Sequence, residues 1–117
     1  MFNQIGEINV ICTNLEQSLI FYRDVLGFNV MGEEEGAVHL SCGNHAFLLL
    51  PIAKTRRELK PYETVTEFSF DLLVNDLKSA SDYLKSKNVS FDKMYKEGES
   101  YAVIRDPDGL AIEIVQS

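Results

Sequence analysis

Apolar and polar positions alternate with period two from Ile5 to Cys12 and again from Phe68 to Val74, as expected of strands with one buried face. Behind each run the period changes. Leu15, Leu19, Tyr22 and Leu26 recur at helical spacing along one face, and Leu77, Ala80 and Leu84 make a thinner stripe. Asn14 and Asp76 stand where each helix would begin, with side chains able to accept from free first-turn amides, and Gln17 completes a weak capping box. Gly27 and Asn88 stand where each helix would end. Three further strands are predicted after each helix: Phe28–Glu33, Ala37–Ser41 and Ala46–Leu50, then Ser90–Lys93, Tyr101–Ile104 and Ala111–Val115. The turn Asp106-Pro107-Asp108-Gly109 suits a tight hairpin between the last two.

The two halves are the same unit written twice. At a shift of 62 residues, Ile8, Val10 and Cys12 fall on Phe70, Leu72 and Val74; Asn14-Leu15 falls on Asp76-Leu77, and Phe21 on Tyr83. Identity is low, but apolar class, turn chemistry and spacing agree. The expectation is an α+β chain of two βαβββ modules, residues 1–50 and 67–117, within a single domain. The polar stretch between them, residues 51–66, carries two prolines and reads as a linker, with a short helix at Lys54–Leu59 as an option.

Composition narrows the class. Of 117 residues, 45% are apolar and 25% charged, which argues against disorder and for one globular domain. The longest apolar run, Ala46–Ala53, has eight residues and contains Pro51, whereas a membrane helix needs about twenty. No signal peptide is evident, so a soluble, cytoplasmic protein is expected, with Cys12 and Cys42 as buried, reduced thiols. Eighteen acidic residues against 11 basic leave a net charge of −7, opposite to that of a chain gripping phosphate backbones. Neither nucleic acid nor an anionic membrane is an expected partner.

Alternation also sorts the polar residues by face. Ile8, Val10 and Cys12 form a helix-facing set, opposite Ile5, Glu7, Asn9 and Ile11; Phe70, Leu72 and Val74 form another, opposite Ser69, Asp71 and Leu73. In the last strand Glu113 is a lone carboxylate between Ala111 and Val115. Two readings stay open. Either these second faces are washed by solvent, or the two sheets curl together around a cavity in which the polar residues are fittings for a small molecule.

The stretch NLEQSLIFYRDVLGF at Asn14–Phe28 and the ending RDPDGLAIEI at Arg105–Ile114, set around an internal repeat, resemble the signatures of the vicinal oxygen chelate superfamily. That family includes glyoxalase I, extradiol dioxygenases, methylmalonyl-CoA epimerase, and fosfomycin- and bleomycin-resistance proteins. The resemblance implies a curved, cleft-lining mixed sheet with helices outside, and a homodimer. Family enzymes commonly hold a divalent metal through side chains of the first, fourth, fifth and eighth strands. Carried over, these positions fall on Glu7, within Phe47–Leu49, on Ser69 and on Glu113; only Glu113 matches the usual ligand. Two carboxylates, with Asp71 as a third, would support at most a weakly held hard ion such as Mg²⁺ or Mn²⁺.

The chain is thus expected to be a small-molecule-binding protein of the bleomycin-resistance type, with no cofactor and no standard metal site. Glu7, Asn9, Ser69, Asp71, Tyr101 and Glu113 would contact the ligand. The first alternative is a lyase, isomerase or dioxygenase-type enzyme in which Glu113 or Glu7 is general base or weak metal ligand. The second is a structural or regulatory subunit. His39, on a strand face with Ala37 and Ser41, is either a cavity residue or a hydrogen-bonded rim histidine; His45 reads as an exposed turn residue. Tyr101 and Phe47 are either ligand-stacking or core aromatics. Lys54, Arg56, Arg57 and Lys60 would meet an anionic group or simply be solvated.

Overall fold

The computed structural model describes all 117 residues, Met1–Ser117. Its elements run β1 (Ile8–Ile11), α1 (Leu15–Leu19, continued as a π-helix over Ile20–Val25), β2 (Asn29–Glu34), β3 (Ala37–Cys42) and β4 (His45–Leu50). The same order then repeats: β5 (Phe70–Val74), α2 (Leu77–Ser86), β6 (Ser90–Lys93), β7 (Tyr101–Arg105) and β8 (Ala111–Gln116). The chain is α+β, with two four-stranded mixed sheets ordered β1-β4-β3-β2 and β5-β8-β7-β6. It divides into two compact units, Met1–Arg56 and Arg57–Ser117.

In each unit the first strand pairs parallel to the last, and the remaining pairs are antiparallel. Both sheets slip register at the same place, between Val30 and Gly32 in one and between Phe91 and Lys93 in the other. A bulge inherited at the equivalent position is what a duplicated unit should keep.

The predicted strands are observed with small changes of boundary; the largest is at the N-terminus, where the strand starts at Ile8 and Ile5 is 87% exposed. Both predicted caps form. Asn14 Oδ1 accepts from Gln17 N–H at 3.0 Å and Asp76 Oδ1 from Ser79 N–H at 3.1 Å. The buried face of the first helix differs from the expected Leu15, Leu19, Tyr22 and Leu26. Tyr22 is buried, but together with Ser18 and Phe21, and the three leucines are only half-buried. The buried set Ser18, Phe21 and Tyr22 keeps i, i+3, i+4 spacing one position off the predicted stripe. From Ile20 the helix widens into a π turn, in which Leu26 N–H reaches back five residues to the Phe21 carbonyl at 2.9 Å. Gly27, at φ +80°, then lets Phe28 N–H return to the Tyr22 carbonyl at 2.9 Å. Tyr22, Phe28 and Phe47 stack in series with centroids 5.6 and 5.0 Å apart, so Phe47 is core.

No helix forms over Lys54–Leu59. Arg57 gives its N–H to the Asp108 carbonyl at 3.0 Å, a tertiary bond in place of a helical one. The chain here passes so close to Gly109 that a Cβ there would stand 2.8 Å from Leu59 Cδ2; Gly109 also needs its φ of +94° to close the Asp106–Leu110 hairpin. Residues 57–67 are thus a strap folded onto the second unit, and only 51–56 belong with the first. Cys12 is buried and Cys42 only half-buried, and neither is in a disulfide. No helix is long and apolar enough to cross a membrane.

Candidate functional site

Register lines up the second unit's polar residues. Asp71 on β5 pairs with Glu113 on β8, Glu113 with Val103 on β7, and Val103 with Lys93 on β6, a single row across the sheet. Leu72, Ile114 and Ala102 alternate to the other side, where α2 packs against β7 and β8 through Leu77, Ser81 and Leu84. Ser69, Asp71 and Glu113 therefore share the face opposite α2, as alternation predicts, and the register of β7 adds Tyr101 to them.

The strap adds a group that sequence reasoning missed. The Tyr62 hydroxyl lies 2.7 Å from Ser69 Oγ and close enough to the Glu113 carboxyl for each to influence the other's ionisation. Glu113 is the register partner of Asp71, so two hydroxyls and two carboxyl groups stand together in one polar array. Its electrostatics follow from this crowding. Burial is the main reason that Glu113 holds its proton above the usual range, and the hydrogen bond and charge of Asp71 push the same way; the Tyr62 hydrogen bond opposes them. For the Tyr62 phenol, the Ser69 hydrogen bond favours ionisation, but burial and the charges of Glu113 and Asp71 outweigh it and raise its pKa. Tyr101 donates to Glu63 Oε1 at 3.2 Å, and the Glu63 charge, with burial, raises the Tyr101 phenol too. Lys93 Nζ stands 4.5 Å from the Tyr101 ring centroid and 2.6 Å from Glu99 Oε2.

The corresponding row of the first unit is Asn9, Leu48, His39 and Gly32. Glu7, two residues before Asn9, reaches across β4 to His39, with Oε2 and Nδ1 2.5 Å apart; His39 Nε2 is 3.8 Å from Glu34. The Glu7 hydrogen bond raises the His39 pKa above its ordinary value, outweighing partial desolvation, and Glu34 adds to the rise. His39 is thus hydrogen-bonded and half-buried; His45 is exposed at the start of β4.

The donor set can now be tested against a family metal. Asn9 matches Asp71 in register, so Glu113 matches Leu48, which has no donor atom. Glu7 is engaged by His39 and Ser69 by Tyr62, and no three His, Cys, Asp or Glu side chains are grouped to hold an ion. A Zn²⁺- or Fe²⁺-type centre does not fit these residues. Of the basic cluster, Arg57 lies 3.8 Å from Glu67 and Lys60 3.1 Å from Glu58.

Comparison with known proteins agrees with this architecture. The glutathione transferase FosA of Serratia marcescens is 25% identical over 97% of this chain and 81% of its own length. The metallothiol transferase FosB of Staphylococcus haemolyticus is 28% identical over 97% and 84%. The fold matches that of a lactoylglutathione lyase from Agrobacterium tumefaciens, with a TM-score of 0.71 at 21% identity over 97% of this chain and 93% of that one. It also matches the glyoxalase I of Leishmania major, with a TM-score of 0.76 at 19% identity over 98% and 87%. The model of the Glyoxalase/Bleomycin resistance protein/Dioxygenase superfamily matches residues 4–114, and with its two βαβββ units the chain belongs to that superfamily.

Proposed function

We propose that this protein binds a small organic molecule through a polar sheet face opposite a helix, without the family's standard metal centre. The observation that carries this reading is the Tyr62–Ser69–Glu113–Asp71 array, a set of hydrogen-bonding groups beside apolar Val103 on a face the helix does not cover. Tyr101 stands two residues from Val103 on the same face, and in the first unit Glu7 and Asn9 occupy the equivalent face. Hydroxyls that donate or accept, next to a pair of carboxyl groups, suit a ligand bearing both donors and acceptors. A homodimer and a cytoplasmic location go with this reading; two cysteines outside any disulfide are compatible with the latter.

Native mass spectrometry of the purified protein tests it by reporting retained small molecules, metal and subunit number together. A retained organic mass in a metal-free homodimer is the expected result. A thermal-shift series with Zn²⁺, Mn²⁺, Mg²⁺ and glutathione, each with and without chelator, gives the contrary outcome its chance. Strong stabilisation by a divalent ion, abolished by chelation, would overturn the metal-free reading.

The enzyme alternative has one observation in its favour: a partly buried Glu113 that resists ionisation is suited to proton transfer. Glu7 is the weaker candidate base, because His39 already occupies its carboxylate. Turnover of the hemithioacetal of methylglyoxal and glutathione, lost in Glu113→Gln, would establish a lyase or isomerase. No turnover in the wild type leaves binding as the function.

A further inference from the structure

Tyr62 reaches the array from a strap with no regular secondary structure, so something must fix it there. Arg105, on β7 and on the Glu113 face, is 6% exposed. One guanidinium nitrogen, Nη2, donates to the Lys60 carbonyl at 2.7 Å and to Asp92 Oδ1 at 3.1 Å. The other oxygen of Asp92 accepts from the backbone N–H of Tyr62 at 2.9 Å. The second nitrogen, Nη1, donates to the Gly109 carbonyl at 3.1 Å and to Glu67 Oε1 at 3.3 Å. A planar fork thus holds the strap on both sides of Tyr62, at Lys60 and at Glu67, and a point-charge ammonium cannot reproduce that geometry.

We infer that Arg105 is the positioning residue of the candidate site, acting through Asp92 and the Lys60 carbonyl to hold the Tyr62 hydroxyl on Ser69, beside Glu113. Being buried, Arg105 is not itself a contact for the ligand. The inference takes from the proposed function only the location of the site, and its test reads Tyr62 and Glu113 without ligand. A failure to bind small molecules and a failure of the Arg105 assignment are therefore distinguishable.

The experiment is a side-chain carboxyl titration of Glu113 by carbon-detected NMR in the full-length protein. The wild type is compared with Tyr62→Phe, Arg105→Lys, Asp92→Ala and the Tyr62→Phe/Arg105→Lys double variant. Loss of the Tyr62 hydroxyl removes a donor that favours the charged carboxylate, so its midpoint should rise in Tyr62→Phe. Arg105→Lys keeps the charge and should raise the midpoint by at least half as much, with no further rise in the double variant. Asp92→Ala should also raise it, although deleting a negative charge would by simple Coulomb effect lower it. The other groups facing Glu113 (Asp71 on β5, Glu63 on the strap, Tyr101 on β7, and Lys93 in the row) are left in place by every variant. A wild-type midpoint in folded Arg105→Lys and Asp92→Ala would overturn the assignment, whatever their loss in thermal stability. So would an unchanged midpoint in Tyr62→Phe. Asp92 is the more exposed member of its ion pair, and its removal leaves the Arg105–Glu67 pair, so that arm reads out even if the arginine variants do not fold.

Discussion

The two units share strand order, parallel closing pair, cap positions and bulge, yet the segment leading into each sheet behaves differently. Residues 1–6, ahead of β1, are exposed throughout, with Phe2 at 96%. Residues 57–67, ahead of β5, are tied to their sheet through Arg105, Asp108, Asp92 and Ser69. Ser41 occupies in the first unit the register position that Arg105 holds in the second. Duplication thus preserved the frame, while one buried arginine gave one copy a strap and a polar array. The other copy kept a Glu7–His39 ion pair. Topology sets where a site is available, and a few side chains decide what chemistry it holds.

The widest gap between the units should open on deleting that arginine. Arg105→Ala leaves Glu67 buried without its nearest cation and should cost about 3–5 kcal/mol in urea denaturation. Ser41→Ala, at the matching position, should stay within about 0.5 kcal/mol. Equal losses would erase the distinction drawn between the copies.

The hairpin glycines come next. Gly109→Ala meets both a left-handed φ and the Leu59 side chain, and should cost up to about 3 kcal/mol. Gly43→Ala, at φ +56° with open space around it, should cost about 1 kcal/mol. The caps should differ less. Asn14→Ala loses one bond, worth about 1 kcal/mol, whereas Asp76→Ala loses those to both Ser79 N–H and Ser79 Oγ and should lower the melting temperature further.

The smallest effects are those of pH, and they have separate origins. His39, paired with Glu7, has a folded pKa above its ordinary 6.5. Its contribution is full below that pH and is lost as pH rises through the folded value, so His39→Gln should flatten the stability profile there. Glu113 also has a raised folded pKa, so stability should fall as pH climbs from 4.5 through the folded value; Glu113→Gln should remove that decline. Chemical denaturation at several pH values separates the two.

Much of this was legible in the chain because it depends on local periodicity. Both caps, all eight strands and both helix ends follow from spacing and turn chemistry, as does the placing of Ser69, Asp71 and Glu113 on one face. The π-helical turn was not legible, since one added residue in a turn leaves no compositional mark. The strap was not legible either. Lys54–Leu59 has residues that tolerate helix, and only the carbonyl of Asp108 and the passage beside Gly109 draw it out extended.

The sequence by itself determined the repeated βαβββ frame, its family, and which polar residues share a face, because each follows from contacts close along the chain. Tertiary structure alone decided that Tyr62 joins the site and that Glu7 pairs with His39. Those partners lie 7 and 32 residues apart, and no periodicity encodes which distant side chains a folded sheet brings together.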